Sequence, residues 1–216
     1  DPSDHQLWVR VIDYKSGKHT FSFSNLLYGL DMQMLIYLAT LLQPGTPLEH
    51  AKPAGILYDP VGILKKDLKR EEKISIDQHI NDSYRMSGIL LDNVPLIRKM
   101  ETGNSGTYLP IIEQNEGLKG KENGILLNEM EFQRLFQYMK QKVIDMAESV
   151  FHGKIEAAPL QLNSSMQPCQ HCPYHTICGT LKYENVRTSS LSKKEANACM
   201  HQLLQKEKTG KEETET

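Results

Sequence analysis

The chain has 216 residues, with 25 Lys and Arg against 27 Asp and Glu, a formal net charge of −2, and a hydrophobic fraction of 39%. These values are typical of one globular domain with at most a small appendage, and they exclude a largely disordered or collagen-like chain. The near balance of charge argues against a uniformly basic nucleic-acid binder, although a local basic groove is compatible with it. No apolar run reaches the ~20 residues of a membrane-spanning helix, because Asp31 and Gln33 interrupt the longest one.

The first residue is Asp1 rather than Met, so we expect this sequence to be a piece of a longer protein. Three of its four cysteines fall within ten residues, and the fourth, Cys199, stands apart. This distribution does not suit the disulfide framework of a secreted domain. We therefore expect a reducing, cytoplasmic location.

The front third predicts a strand, a helix and a second strand. Residues 7–14 are rich in Val, Ile and aromatic residues and predict a buried strand. Residues 24–42 carry apolar side chains at helical spacing, with Ser24 or Asn25 as the cap. Residues 54–58 form a second short apolar run. Two such strands separated by a helix predict a parallel crossover unit.

The middle of the chain has a weaker pattern. Residues 62–128 are rich in charged residues, Gly and Asn, and we interpret them as an insertion with short strands near 108–112 and 124–127. Glu129–Phe151 then predicts an amphipathic helix, which Gly153 ends. Its apolar stripe consists of Phe132, Leu135, Phe136, Met139, Val143, Ala147 and Val150.

These patterns divide the chain into three parts. Residues 1–160 form an α/β core that contains the insertion, and residues 161–188 carry the grouped cysteines. Residues 189–216 are rich in Lys, Glu, Ser and Thr. We expect this last part to be a polar, flexible tail.

Asp13 and Lys15 lie at the end of the first predicted strand. Alternate residues of a strand project from one face, so an acid and an amine converge there. Metal-dependent phosphodiester hydrolysis needs such a pair, because the carboxylate holds a hard cation and the ammonium stabilises developing negative charge. The alternative is a structural ion pair.

Gln33 and Tyr37 are four residues apart in an otherwise apolar helix. Residues at this spacing share one helix face, which would place an amide and a phenol beside the strand end. The alternative is that Tyr37 belongs to the core and Gln33 caps a neighbouring backbone group.

The grouped cysteines occur as Cys-x2-Cys-x5-Cys, a spacing that favours one metal centre over three unrelated buried thiols. Zinc would take a nitrogen or sulfur as its fourth ligand, whereas an iron–sulfur cluster would need a fourth thiolate. The residues concerned are Cys169, Cys172 and Cys178, with His171, His175 or Cys199 as the fourth zinc ligand.

Four separated segments occur in a characteristic order: VRVIDYKSG, YGLDMQMLIYL, PAGILY and PCQHCPYHTIC. Together they resemble the C-terminal nuclease domain of the AddB family, whose members belong to the bacterial AddAB helicase–nucleases. The resemblance covers most of residues 6–180. It implies a RecB-type PD-(D/E)XK core with the restriction-endonuclease-like α/β fold.

At the matching positions, the resemblance implies that Asp13 is a ligand of Mg²⁺ or Mn²⁺ and that Lys15 is the catalytic lysine. It implies that Gln33 and Tyr37 line the active site from a helix. Three of the four ligands of a [4Fe-4S] cluster would be thiolates, those of Cys169, Cys172 and Cys178.

The family's complex processes DNA double-strand ends for recombinational repair, and its AddA subunit carries the main ATP-driven motor. The resemblance therefore implies an exodeoxyribonuclease that binds DNA and an AddA-type partner. Two alternatives are another RecB-type iron–sulfur exonuclease of the Cas-four-like kind and a non-catalytic, metal-stapled DNA-binding module.

Family members place a further catalytic acid in a G-x-x-D-R-type strand before the strand that holds Asp13, and their first cluster cysteine lies far upstream. Neither occurs within this sequence. We therefore expect an incomplete metal site and little or no cleavage by residues 1–216 alone. DNA would be held through phosphate contacts, for which the candidates are Lys18, His19, Lys65, Lys66, Lys69 and Arg70.

Overall fold

The computed structural model describes residues 6–17, 19–62, 75–102, 106–115, 117–121, 124–156, 158–162, 169, 172–178, 187–189 and 191–205. Within these residues the strands are β1 (Trp8–Lys15), β2 (Lys52–Pro60), β3 (Ser87–Leu91), β4 (Ile111–Gln114), β5 (Gly117–Gly120), β6 (Gly124–Leu127), β7 (Leu160–Leu162) and β8 (Arg187–Ser189). The helices are α1 (Phe23–Leu27), α2 (Gln33–Leu41), α3 (Ile76–Ser83), α4 (Val94–Met100), α5 (Glu129–Phe151), α6 (His175–Cys178) and α7 (Lys193–Gln205). None of these helices is long and apolar enough to cross a membrane.

The predicted parallel crossover is confirmed. β1 and β2 are hydrogen-bonded neighbours that run in the same direction, and α1 and α2 lie between them in sequence. α2 packs on both strands and buries Met34, Leu35 and Leu38. The carboxyl ends of β1 and β2 therefore meet at one edge of the sheet.

The single helix predicted for residues 24–42 is wrong in detail, because the structure has two helices there. The backbone turns between α1 and α2, where Gly29 has φ +81° and Asp31 has φ +56°. Left-handed residues end an α-helix. The cap of α1 is Ser22, whose side chain accepts a hydrogen bond from the Ser24 N–H.

Residues 62–128 are not simply an insertion. β3 pairs antiparallel with β2, and β6 pairs parallel with β3, giving a mixed sheet in the order β1-β2-β3-β6. All five residues of β3 are buried, so this strand belongs to the centre of the sheet. β4 and β5 form a separate antiparallel hairpin. The sequence pattern misses β3 because a buried five-residue strand shows no alternation.

The helix predicted for Glu129–Phe151 is confirmed as α5. Its start is a capping box in which the Asn128 side chain and the Glu131 carboxylate each accept the other residue's backbone N–H, both at 2.9 Å. The first half of the apolar stripe is buried at Phe132, Leu135 and Met139. The second half turns to solvent, with Val143 39% and Val150 78% exposed.

The expected flexible tail is corrected for residues 193–205, which form α7. This helix packs on α1 and α5, and it buries Ala196, Met200 and Leu204. Three apolar residues at helical spacing anchor a helix whose remaining positions are mostly polar. Residues 206–216 lie outside the described residues.

β7 and β8 form a short parallel pair. The Cys-x2-Cys-x5-Cys motif lies between these two strands in sequence. α7 follows β8, and its buried residues Met200 and Leu204 belong to the main hydrophobic core. The chain therefore returns to the α/β core after the cysteine motif.

Candidate active site

Asp13 and Lys15 lie side by side at the carboxyl end of β1. The Lys15 Nζ is 2.7 Å from the Asp13 Oδ2, and each side chain is 32% exposed. Strand alternation explains the arrangement, since Tyr14 points the other way and is 69% exposed. The acid and the amine therefore share one face and remain accessible from solvent, which is the geometry that the sequence predicted.

Tyr58 forms the buried wall of this site. It is the partner of Asp13 in the parallel register of β1 and β2, and only 4% of it is exposed. The Lys15 Nζ lies 5.4 Å from the centre of its ring, within cation–π distance. Burial raises the pKa of the Tyr58 phenol, and the charges of Asp31 and Asp13 raise it further. The phenol is thus neutral at physiological pH.

His19 and Asp31, which lie outside the strands, complete the surroundings of Tyr58. The His19 ring meets the Tyr58 ring edge-on, with 4.2 Å between the ring centres. The His19 Nε2 is 3.6 Å from the Asp31 Oδ1, and the Asn25 side-chain amide donates to the Asp31 Oδ2 at 2.7 Å. The His19 carbonyl accepts a 2.7 Å hydrogen bond from the Ser87 hydroxyl of β3.

Asp31 and Tyr58 carry no motif that singles them out in the sequence. Asp31 reaches the site because its backbone adopts φ +56° in the turn before α2, a conformation that Asp tolerates better than most residues. The one available signal is the Gly29-Leu30-Asp31 sequence inside a helical pattern. Tyr58 reaches it through strand register, which a single sequence does not reveal.

Gln33 and Tyr37 lie one turn apart on α2, and the Gln33 amide donates to the Tyr37 hydroxyl at 2.7 Å. Tyr37 is 50% exposed, so the alternative in which it belongs to the core is wrong. Within the described residues, neither side chain hydrogen-bonds to Asp13 or Lys15. The structure thus contains two polar pairs, one on β1 and one on the helix that packs against β1.

The cysteine motif is described in part. The Cys172 N–H donates to the Cys169 carbonyl at 3.3 Å, and both thiols are half-buried and free. Cys178 ends α6, but its side chain and that of His175 lie outside the described residues, as does His171. Cys199 lies on α7 beside Tyr138, whose pKa is raised to about 12 by burial and by Cys199.

The sequence also predicts a metal site and a set of residues that contact DNA phosphates. Among the described side chains, no group of three or more His, Cys, Asp or Glu is placed to hold a metal ion. Of the phosphate-contact candidates, His19 is described, and the remaining five lie outside the described residues. These five are Lys18, Lys65, Lys66, Lys69 and Arg70.

The sequence is similar to known nucleases. The profile of the PD-(D/E)XK nuclease superfamily matches residues 1–179. The chain is 31% identical over 179 residues to the B subunit of an ATP-dependent helicase/deoxyribonuclease from Clostridium kluyveri (strain NBRC 12016), a match covering 79% of this chain and 15% of the relative. Proteins of the same name from Caldanaerobacter subterraneus subsp. tengcongensis and Clostridium tetani are 34% identical over 180 residues and 33% over 179.

These two matches cover 80% and 79% of this chain and again 15% of each relative. The chain thus spans about 15% of the length of the curated relatives that it matches. The superfamily profile, by contrast, covers most of the chain. It agrees with the mixed α/β sheet. The chain belongs to the PD-(D/E)XK nuclease superfamily.

Proposed function

We propose that this chain is the nuclease domain of a B-type subunit of an ATP-dependent helicase/deoxyribonuclease. In this proposal the whole protein hydrolyses phosphodiester bonds while it processes DNA double-strand ends for recombinational repair. An AddA-type helicase subunit is its partner. The names of the relatives, at 31–34% identity over this domain, support the assignment.

The observation that carries the proposal is the 2.7 Å contact between Asp13 and Lys15 on an accessible strand end. The Asp13 carboxylate supplies hard oxygen donors, and its exposure leaves room for a hydrated divalent ion, so the donor chemistry fits Mg²⁺ or Mn²⁺. When bound, such an ion supplies a hydroxide at neutral pH and neutralises phosphate charge. PD-(D/E)XK nucleases generally use divalent metal ions.

The positions of the other three residues support the roles that we propose for them. Lys15 orients the attacking water and stabilises the negative charge that develops on the phosphate, and Asp13 in turn holds the Lys15 ammonium in place. Gln33 and Tyr37 present an amide and a phenol from α2, the helix that packs on β1. In our proposal they line the path of the DNA strand and contact its sugar–phosphate backbone.

One carboxylate does not make a competent metal site. Phosphodiester cleavage needs a barrier reduction of about 20 kcal/mol, of which a metal ion supplies several. Mg²⁺ depends on a few well-placed ligands, and the residues before β1 contain no G-x-x-D-R sequence. We therefore propose that a polypeptide of these residues alone binds metal weakly and cleaves DNA very slowly or not at all.

Calorimetric titration with Mn²⁺ tests the role of Asp13. We expect weak Mn²⁺ binding by residues 1–216 that Asp13→Asn abolishes and that Asp77→Asn, an exposed acid on α3, leaves unchanged. Equal binding by the wild type and Asp13→Asn would contradict the metal role and favour a non-catalytic module. Robust Mg²⁺-dependent cleavage of linear DNA, abolished by Asp13→Ala, would contradict the proposed inactivity.

We also propose that Cys169, Cys172 and Cys178 supply three of four ligands to a [4Fe-4S] cluster in the whole protein. Thiolates are the ligands that such clusters use, and the hydrogen bond from the Cys172 N–H to the Cys169 carbonyl keeps the backbones of two of these residues close together. The cysteine motif lies between β7 and β8 in sequence, and these two strands pair. The cluster would therefore hold the strand pair together and tie the C-terminal segment to the core.

Anaerobic purification of the protein extended to its upstream cysteine tests this assignment. We expect a brown protein with stoichiometric iron and sulfide, and loss of colour in air accompanied by a lower Tm. Matched Cys169→Ser and Cys199→Ser variants separate a ligand from a bystander. A colourless protein with stoichiometric zinc would contradict the cluster.

A further inference from the structure

A second polar group adjoins the acid–amine pair, and its contacts are unusual. His19 and Lys15 both contact the ring of Tyr58, at 4.2 Å between ring centres and at 5.4 Å from Nζ to the ring centre. The two nitrogen-bearing side chains therefore lie around one buried aromatic ring. The Tyr58 ring thus connects His19 to the acid–amine pair.

Asp31 is held so that it faces His19. Its Oδ2 accepts the Asn25 amide at 2.7 Å, which leaves its Oδ1 facing the His19 Nε2 at 3.6 Å. The left-handed backbone of Asp31 costs conformational energy. Such a cost is typical of a position where the side chain's placement matters.

The His19 Nε2 is buried and, within the described residues, has no hydrogen-bond partner. Its distance to Asp31 allows charge attraction but exceeds hydrogen-bond length. An unsatisfied buried nitrogen is costly, and here it faces a carboxylate that could satisfy it after a small shift. Nε2 is buried while the side chain as a whole is 34% exposed, so the accessible atoms of His19 are atoms other than Nε2.

We propose that His19, oriented by Asp31, is a phosphate-binding residue of this nuclease site. A protonated imidazole donates from both nitrogens, so it can bond Asp31 through Nε2 and a phosphate oxygen through Nδ1. The ligand class is a DNA phosphodiester next to the one that Lys15 contacts. This inference rests on the proposed function, because it assigns a further contact for the same substrate.

Replacement of Asp31 is a decisive test, because the two possible roles of Asp31 predict opposite changes in DNA affinity. Asp31 carries a negative charge close to bound DNA, so if it only repelled phosphate, its removal would strengthen binding. If it orients His19, its removal weakens binding instead. Asn tolerates the left-handed backbone and can retain a carbonyl for Asn25, so Asp31→Asn is expected to fold.

The experiment measures fluorescence anisotropy of a labelled single-stranded oligonucleotide with residues 1–216 in EDTA, which prevents metal-dependent cleavage. We expect His19→Gln to weaken binding about tenfold, as for loss of one charge-assisted hydrogen bond, and Asp31→Asn about threefold. Glu156→Gln, a change at an exposed acid beyond the end of α5, is the control and should leave binding unchanged.

Lys15→Met separates this inference from the proposed function. If Lys15→Met weakens binding but His19→Gln does not, or if Asp31→Asn tightens binding, the role of His19 is overturned while the DNA site stands. If the wild type shows no DNA binding, the proposed contact surface and the His19 inference are both overturned. Thermal melts of every variant establish that each one folds.

Discussion

Asp13 and Tyr58 are direct partners across β1 and β2, although α1 and α2 separate them in sequence. Parallel register places the carboxylate next to a buried ring that also lies under the Lys15 ammonium. The neighbouring strand thus fixes the position of the acid–amine pair, which leaves less conformational freedom to lose when a substrate binds.

The ring of Tyr58 is expected to matter more for stability than its hydroxyl. Tyr58→Leu leaves a cavity under Lys15 and beside His19, and we expect it to lower the free energy of unfolding by about 2–3 kcal/mol. Tyr58→Phe keeps the ring and should cost less than about 1 kcal/mol. Urea unfolding of the two variants measures the difference. Equal losses would mean that the hydroxyl carries the stabilisation.

Gly88 is expected to be essential for the central strand pair. Its φ is +151°, and a Cβ built there would lie 2.1 Å from the Ile56 carbonyl oxygen of β2. Gly88→Ala should therefore disrupt the β2–β3 pairing and prevent cooperative folding. In the hairpin strand β5, a Cβ on Gly117 would meet nothing closer than 3.8 Å, so Gly117→Ala is the matched control. Circular dichroism melts distinguish the two, and a folded Gly88→Ala protein would contradict the register.

Asp59 should make stability depend on pH. Burial raises the pKa of its carboxyl, so its folded-state pKa exceeds its unfolded-state value. Its contribution to stability is fully present below the unfolded pKa and is lost as pH rises through the folded pKa. Asp59→Asn should therefore raise Tm at pH 7, by about 1–3 °C.

Below the unfolded pKa the protonated Asp59 resembles Asn, and the difference in Tm between the wild type and Asp59→Asn should vanish. The exposed acid Asp77 provides the control, since Asp77→Asn removes the same charge from the surface of α3. A benefit of Asp59→Asn that persists at low pH would show that the effect does not come from titration.

The sequence predicts those parts of the site that depend on local geometry. Asp13 with Lys15 follows from strand alternation, and Gln33 with Tyr37 from the spacing of one helical turn. Tyr58 reaches the site through strand register, which depends on contacts distant in sequence. Asp31 reaches it through a left-handed turn, for which Gly29-Leu30-Asp31 is only a weak local signal. The pattern misses β3 and α7 for a related reason, because their apolar residues acquire meaning only when the rest of the core is present.

The sequence predicts a flexible tail where the structure has α7, and two substitutions on this helix distinguish these alternatives. Met200 is completely buried, whereas Leu203 on the same helix is 40% exposed. If α7 belongs to the core, Met200→Ala should lower the free energy of unfolding by about 2–5 kcal/mol, while Leu203→Ala should cost about 0.5 kcal/mol. Both variants remove an apolar side chain from one helix, so differences in helix propensity largely cancel. Equal urea midpoints for Met200→Ala and the wild type would mean that residues 193–205 do not pack on the domain in solution, as the sequence pattern suggested.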